Sequence, residues 1–279
     1  MGEAPTPEAS AVELAYSNRG SGPPLVILHG LYGSSTNWRT IANHFENSHE
    51  VYLPDLRNHG RSPWTPSMSF SEMASDLVQL LEQNVSEAPI VIGHSLGGKV
   101  AMALALNSPQ WVERLIVVDI APTTYPPKTH PHLIKAMMDL DLEQLEGRRA
   151  QADQALKPSI SDPALRQFLL QNLVLKQGRF DWRINLQTIN REIGILHGFP
   201  VFPDLIQFTK PSLFISGERS NHLTPRHYPS LMALFPEATL KQIARSGHWV
   251  HAEQPEEFIR VVDNFISAPE DGGCDQPST

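Results

Sequence analysis

The sequence has 279 residues, of which 41% are apolar and 19% are charged, and its formal net charge at pH 7 is -8. These proportions are near those of ordinary globular proteins, which excludes a fibrous or wholly disordered chain. The acidic balance and the lack of Lys and Arg clusters disfavour nucleic acid or an anionic membrane surface as a partner. We therefore expect a small-molecule partner, and a monomer or a small homo-oligomer.

The cysteine content and the first residues indicate the compartment. Cys274 has no second cysteine with which to form an intrachain disulfide. The first ten residues, MGEAPTPEAS, contain neither a basic start nor an apolar stretch, and no run approaches the ~20 apolar residues of a membrane span. We expect a cytoplasmic protein without a membrane span.

Short apolar runs alternate with helical patterns along most of the chain. Five runs rich in Val, Ile and Leu have the continuous apolar character of strands covered on both faces: PLVILHG, EVYLPD, PIVIGHS, RLIVVDIAP and PSLFISG. Apolar residues three or four apart predict helices over 38–45, 70–81 and 96–106. The pattern predicts an α/β fold with a doubly wound, mostly parallel sheet, formed by residues 1–121 and 209–268.

Residues 122–208 interrupt this alternation. The proline-rich PTTYPPKTHPH is typical of a linker, and HLIKAMMDLDLEQL then predicts a helix with an apolar face that packs as core. The residues of this face are Leu133, Ile134, Met137 and Met138. In SDPALRQFLLQNLV, Asp162 is a candidate N-cap and Pro163 suits the first turn of a helix. We interpret 122–208 as a helical cap inserted after the sixth strand, and 269–279 as a disordered tail.

The stretch IVIGHSLGGK places a serine at the end of an apolar run. Gly93, Ser95 and Gly97 form the pattern G-x-S-x-G between a predicted strand and a predicted helix, the context in which this pattern marks a nucleophile elbow. Only small side chains fit beside the serine in so tight a turn. A phosphate-binding loop is disfavoured, because Lys99 follows two glycines without the G-x-x-x-x-G-K-[ST] frame. Ser95 is therefore the candidate nucleophile.

A serine nucleophile needs a base, and twelve histidines compete for that role. His248, in QIARSGHWVHAEQP, lies between a short apolar strand and a predicted helix and is the candidate base. His29 and His94 adjoin the glycines of strand-end motifs and are expected to shape turns. His251, three residues after the candidate, is expected to point elsewhere.

Backbone amides are the expected donors of an oxyanion hole. The segment HGLYG follows the PLVIL strand, where a loop that turns back over the elbow should lie. We assign this role to the amides of Leu31 and Leu96.

Six segments together resemble the α/β-hydrolase fold superfamily, and within it a group of serine esterases. They are HGLYGSSTNW, DLRNHGRSP, GHSLGGKVAM, VERLIVVDIAP, GRFDWRIN and GHWVHAEQP. The resemblance spans about 25–266, and it implies an esterase that acts on acyl esters or thioesters, uses no cofactor or metal, and has a helical cap. We expect a serine carboxylesterase that cleaves short- to medium-chain acyl esters.

Other functions of this fold stay open at this point. An acyl-CoA thioesterase, a cofactor-free haloperoxidase or a carbon-carbon hydrolase would keep the same residues, and a receptor-like protein would bind ligand without turnover. Haloalkane dehalogenases and epoxide hydrolases use a carboxylate nucleophile, which Ser95 argues against.

The acid that orients His248 departs from the commonest superfamily pattern, in which an aspartate follows the PSLFISG-type strand. Here the stretch is GERSNHLTP, with Ser220 and Asn221 at that place. Asp119 ends RLIVVDIAP, and because neighbouring strands are ~4.8 Å apart its carboxylate can reach a histidine over the elbow. The resemblance to bacterial esterases also favours Asp119, and Glu218 is the alternative.

Two further sets of polar or aromatic residues are expected to be structural. Asp55, Arg57 and His59 follow a strand end and should pin their loop through side-chain hydrogen bonds. Trp182 lies in the predicted cap, where it could line the acyl pocket or pack inside the cap. Packing is the commoner role of a tryptophan in such a segment.

Overall fold

The computed structural model describes residues 11–126, 130–145, 147–202 and 206–268 of the chain. Its strands are β1 (Tyr16–Arg19), β2 (Pro24–Leu28), β3 (Glu50–Pro54), β4 (Ile90–His94), β5 (Arg114–Val118), β6 (Leu173–Lys176), β7 (Arg179–Trp182), β8 (Ser212–Gly217) and β9 (Ala238–Ile243). Seven of them form one sheet in the order β1-β3-β2-β4-β5-β8-β9, and β6 pairs with β7 in a separate hairpin. β1 is antiparallel to β3, and the other neighbours in the large sheet are parallel. The predicted α/β fold with a mostly parallel sheet is confirmed.

Helices connect the strands and cover the sheet. They are α1 (Arg39–Phe45), α2 (Phe70–Asn84), α3 (Leu96–Asn107), α4 (His130–Met138), α5 (Arg149–Leu156), α6 (Pro163–Leu170), α7 (Leu186–His197), α8 (Tyr228–Leu234), α9 (Val250–Glu253) and α10 (Pro255–Ile266), with 3-10 turns at Ser35–Trp38, Pro109–Trp111 and Pro225–His227. Among the described residues, no helix is both long enough and apolar enough to span a lipid bilayer.

The two faces of the sheet bury alternate strand residues. In β2, Leu25 and Ile27 lie in the core on the side of α1 and α10, whereas Val26 and Leu28 lie in the core on the side of α2 and α3. Both faces are therefore covered, as is usual for a parallel sheet. The edge formed by the carboxyl ends of the strands remains accessible, and ligands of open α/β sheets bind there.

The structure confirms the five predicted strands and the three predicted helices, the second of which continues to Asn84. The sequence does not predict β1, because YSNR is a polar, half-exposed edge strand rather than an apolar run. It also does not predict the β6–β7 hairpin, whose strands have only four residues each.

The insertion lies in the crossover between β5 and β8 and contains α4 to α7 and the β6–β7 hairpin. The predicted position after the sixth strand is wrong: the insertion follows β5, the fifth strand in chain order. The next strands of the large sheet, β8 and β9, come after the insertion. The N-cap expectation is confirmed, since Asp162 Oδ1 accepts a hydrogen bond of 2.8 Å from the amide of Ala164. Met138 is 46% exposed, so its predicted place on the buried apolar face of α4 is wrong. The predicted tail, 269–279, lies outside the described residues.

A buried ion cluster holds the loop that follows β3. Arg57 is 1% exposed and donates two hydrogen bonds of 2.7 Å to the carboxylate of Asp76, and its Nη1 lies 2.9 Å from Oε1 of Glu72. Both acids belong to α2, so the cluster ties this helix to the loop. Asp55 braces the same loop, because its two oxygens accept hydrogen bonds from the amides of Ser35 and Arg61.

We expect Arg57→Ala to lower the free energy of unfolding by about 3–5 kcal/mol, because it leaves two buried carboxylates without their cation. Arg61→Ala is the matched control: its side chain is 61% exposed and lies 3.7 Å from Asp55, so its loss should cost no more than ~1 kcal/mol. Urea denaturation of both variants measures the difference. Equal costs at the two positions would contradict the expected importance of the buried cluster.

Candidate active site

The turn between β4 and α3 holds Ser95 in a strained conformation. Its φ is 53° and its ψ is -114°, in a region that residues with a side chain rarely adopt. A Cβ atom at Gly93 would lie 2.3 Å from the carbonyl oxygen of Gly97, and one at Gly97 would lie 2.6 Å from the carbonyl oxygen of Leu28. The two glycines are therefore required by close backbone approaches on both sides of the serine.

Three side chains from different parts of the sequence meet at this turn. The Oγ atom of Ser95 is 3.1 Å from Nε2 of His248, and Nδ1 of His248 is 2.7 Å from Oδ2 of Asp119. Asp119 follows β5, next to the serine strand, and is fully buried with a φ of 52°. Its carboxylate also accepts hydrogen bonds from the amide of Gly217, at 3.1 Å, and from the hydroxyl of Ser220.

The rival acid lies elsewhere. Glu218 is exposed, and its carboxylate accepts a hydrogen bond of 2.7 Å from the amide of Arg245. The structure therefore brings Asp119, and not Glu218, against His248. Ser220 occupies the place of the usual superfamily acid, and its hydroxyl supports the carboxylate of Asp119 instead of replacing it.

Burial shifts the pKa values of the acid and the base in opposite directions. It raises the pKa of the Asp119 carboxyl to about 6, although hydrogen bonds from a hydroxyl and a backbone amide oppose the increase. It lowers the pKa of the His248 imidazole, and the fields of two neighbouring histidines lower it further. Above pH 6 the pair therefore consists of a carboxylate and a neutral imidazole, which can accept a proton from Ser95.

The two amides assigned to the oxyanion hole flank the serine. Leu96 is the first residue of α3, where a backbone N–H has no partner within the helix. Leu31 lies in the loop after β2 and lines the cavities at Ser95, and its amide has no hydrogen bond among the described residues. The next residue, Tyr32, fixes this loop, because its amide donates to Nε2 of His59 at 3.2 Å.

The other histidines near the site have structural contacts. His29 accepts a hydrogen bond of 3.0 Å from the amide of Leu56 and so joins the loops after β2 and β3. Nε2 of His94 lies 2.9 Å from the carbonyl oxygen of His248. The ring of His251 stacks on a tryptophan, with ring centroids 4.0 Å apart, and takes no part in the Ser95–His248–Asp119 chain of hydrogen bonds.

His222 is a neighbour of the site that the sequence did not reveal. Its ring stacks on that of His248, with centroids 4.0 Å apart, and its Nδ1 atom lies 3.7 Å from Oδ2 of Asp119. The feature of the sequence that could have indicated this placement is that His222 follows Ser220, at the place of the usual superfamily acid, by two residues. Asp119, His222 and His248 have potential metal-ligand atoms within 4.8 Å of one another, but an ion could bind them only by breaking the hydrogen bond between Asp119 and His248.

Two cavities meet at Ser95 and Leu31. The smaller, of about 70 Å³, has a mainly apolar wall that includes Tyr32, Trp38, Leu133, Leu165, Phe168 and Trp249. The larger, of about 430 Å³, has a more polar wall that includes Lys99, Tyr125, His130, His197, His222 and Arg226. Leu133, Ile134 and Met137 of the apolar face predicted for α4 lie in the core as predicted, and Leu133 also lines the smaller cavity. Trp182 lines neither of these cavities and is 8% exposed within the core, which supports a packing role.

Comparison with known proteins identifies the family. Residues 23–255 match the family model described as alpha/beta hydrolase fold. The chain is 41% identical over 253 residues to the Xenopus laevis protein named sn-1-specific diacylglycerol lipase ABHD11. The matched region covers 88% of this chain and 80% of that protein. It is 32% identical over 250 residues to esterase YbfF of Escherichia coli strain K12, over 90% and 95% of the two chains.

A solved structure gives the same result. The structure called marine microorganism esterase superposes with a TM-score of 0.88 at 40% identity and covers 91% of this chain and 100% of its own. These findings confirm the resemblance that the sequence motifs indicated. The chain is a hydrolase and belongs to the alpha/beta hydrolase fold family.

Proposed function

We propose that the chain is a serine carboxylesterase that cleaves short- to medium-chain acyl esters through an acyl-enzyme on Ser95. The hydrogen-bonded chain from Ser95 through His248 to Asp119 is the observation that carries this proposal. The names of the three relatives described above, one diacylglycerol lipase and two esterases, support an ester as the substrate. The small apolar cavity at Ser95 supports a short acyl group.

The first half of the proposed reaction forms the acyl-enzyme. The neutral imidazole of His248 accepts the proton of the Ser95 hydroxyl through Nε2 while the serine oxygen attacks the ester carbonyl carbon. The carbonyl oxygen becomes an oxyanion and accepts hydrogen bonds from the amides of Leu31 and Leu96. The tetrahedral intermediate collapses, the C–O bond to the alcohol breaks, and the imidazolium gives its proton to the departing alcohol.

Water completes the reaction by the same route. His248 accepts a proton from water, the hydroxide attacks the acyl-enzyme carbonyl, and Ser95 leaves with the proton from the imidazolium. Asp119 accepts the Nδ1–H of the imidazole throughout, which keeps Nε2 free as the base and stabilises the imidazolium. We also propose that residues 122–208 act as a cap, since α4 and α6 contribute to the apolar wall beside Ser95.

Ser95→Ala should lower kcat on a short-chain p-nitrophenyl ester by about 10⁴-fold or more, because it removes the nucleophile. The melting temperature should be retained, since the backbone and not the hydroxyl creates the strained turn. Ser71→Ala, on the exposed side of α2, is the matched control and should keep full activity. Fluorophosphonate labelling that occurs in the wild type and is lost only in Ser95→Ala would distinguish an enzyme from a receptor-like protein. Equal activity of the two variants would contradict the assignment of Ser95 as the nucleophile.

Asp119→Asn should lower kcat by ~10⁴-fold, because the amide keeps the shape but favours the wrong imidazole tautomer. Glu218→Gln, the matched control, should change kcat less than about twofold, because Glu218 is exposed and the field of an exposed carboxylate is screened. Steady-state kinetics on the same ester, with melting curves for each variant, measures both effects. The reverse ranking would make Glu218 the acid.

The activity should fall on acidification, because proton uptake by the His248–Asp119 pair removes the base. Burial lowers the pKa of the imidazole and raises that of the carboxyl to about 6, so the pair should take up its proton with an apparent pKa below 6.5 and near 6. A profile of kcat/KM from pH 5 to 8 measures this midpoint. A flat profile, or a midpoint above 7, would contradict the expected state of the pair.

A further inference from the structure

The larger cavity at Ser95 has a basic wall. Lys99 and Arg226 supply its cationic side chains, and none of the described residues that line it is an aspartate or a glutamate. The nearest acid of the site, Asp119, already accepts hydrogen bonds from His248 and two other donors. The positive charge of this wall therefore has no carboxylate partner of its own.

Lys99 is the buried source of that charge. It is 2% exposed, and its ammonium group donates only to neutral acceptors, the carbonyl oxygens of Leu196, His197 and Gly198 at the end of α7. Burial lowers its pKa to about 7, because the ammonium loses hydration without gaining a counter-ion. Since the three carbonyls occupy its three N–H groups, Lys99 acts on a ligand through its field rather than by direct contact.

The field of Lys99 extends into the cavity. Burial is the main cause of the lowered pKa values of His130, His197 and His222, which all line the cavity, and the field of Lys99 lowers each of them further. These imidazoles are consequently neutral near pH 7 and can each donate one hydrogen bond. The Nδ1 atom of His197 is buried without a hydrogen-bond partner among the described residues, and the whole residue is 8% exposed.

Arg226 adds a cation that can contact a ligand directly. It is exposed at the cavity wall, and its Nε atom donates to Nε2 of His227 at 3.1 Å, which fixes the guanidinium plane. Among the described residues, its two terminal amino groups have no partner. A guanidinium in this state offers paired donors with the spacing of carboxylate or phosphate oxygens.

We infer that the larger cavity binds an anionic group of the substrate, so that the preferred ester carries a carboxylate or a phosphate monoester at a distance from the scissile carbonyl. This inference rests on the proposed function and names the substrate class of the same site. Arg226 holds the anion by direct hydrogen bonds, and Lys99 supplies the buried counter-charge. The small apolar cavity then receives the uncharged part of the ester.

Matched esters test the inference and identify the source of the anion. The comparison of monomethyl adipate with dimethyl adipate tests a carboxylate on the acyl side of the ester. The comparison of 4-acetoxybutanoate with butyl acetate tests a carboxylate on the alcohol side. The comparison of 2-acetoxyethyl phosphate with butyl acetate tests a phosphate on the alcohol side. Proton release at pH 6.5, where Lys99 with its pKa of about 7 is mainly protonated, gives kcat/KM for each. At least one anionic ester should exceed its neutral counterpart by about tenfold or more, which corresponds to one charged hydrogen bond.

Variants locate the preference in the cavity. Arg226→Gln should lower the ratio of anionic to neutral kcat/KM by about tenfold. Arg260→Gln removes the same charge from the exposed side of α10, where Arg260 pairs with Glu257, and should leave the ratio unchanged. Lys99→Gln, which keeps an N–H donor for the carbonyl groups, should also lower the ratio, and its melting curve shows whether the fold is retained.

The outcomes separate this inference from the proposed function. Hydrolysis of neutral esters that is lost in Ser95→Ala, without any preference for the anionic esters, would overturn the inference and leave the esterase proposal standing. A preference that survives in Arg226→Gln would also overturn it, because the anion would then bind elsewhere. Failure to hydrolyse any of the esters would overturn both proposals.

Discussion

The close backbone packing around Ser95 is the constraint on which the rest of the site depends. The serine keeps a positive φ because Gly93 and Gly97 allow β4, α3 and the end of β2 to approach within distances that a side chain would block. Asp119, at the end of the adjacent strand, also has a positive φ. Both functional groups thus leave the sheet at sharp turns, and a rigid sheet supplies the tertiary contacts that stabilise such strain.

Polar side chains from a neighbouring loop hold the segment that carries Leu31, one of the two proposed oxyanion donors. Tyr32 lies beside the amide of Leu31, and its own amide is held by the neutral imidazole of His59. Burial lowers the pKa of His59 to about 3, so this ring stays an acceptor under all ordinary conditions. The buried ion cluster of Arg57 fixes the loop after β3, which carries His59. The loop of Leu31 is therefore tied through His59 and the Arg57 cluster to α2, although no residue of α2 lines the two cavities at Ser95.

The sequence predicts those parts of the molecule that local pattern determines. The apolar runs give the central strands, the G-x-S-x-G pattern gives the elbow, and the strand-end position of Asp119 gives its place beside the serine strand. Features that depend on tertiary contact are missed. The stacking of His222 on His248 and the burial of Lys99 against the end of α7 join positions about 26 and 97 residues apart, and no local periodicity reports them.

The contacts of Asn172 give the insertion a second significance. This residue follows α6, and its side-chain amide donates a hydrogen bond of 2.7 Å to the carbonyl oxygen of Tyr32 in the oxyanion loop. The insertion and the loop thus share a buried polar contact, which is costly to break on one side only. An insertion without a donor at the position of Asn172 would leave this carbonyl without its side-chain partner. In a chimaeric protein, the segment around Tyr32 and the insertion should therefore be exchanged together, so that this buried contact is kept.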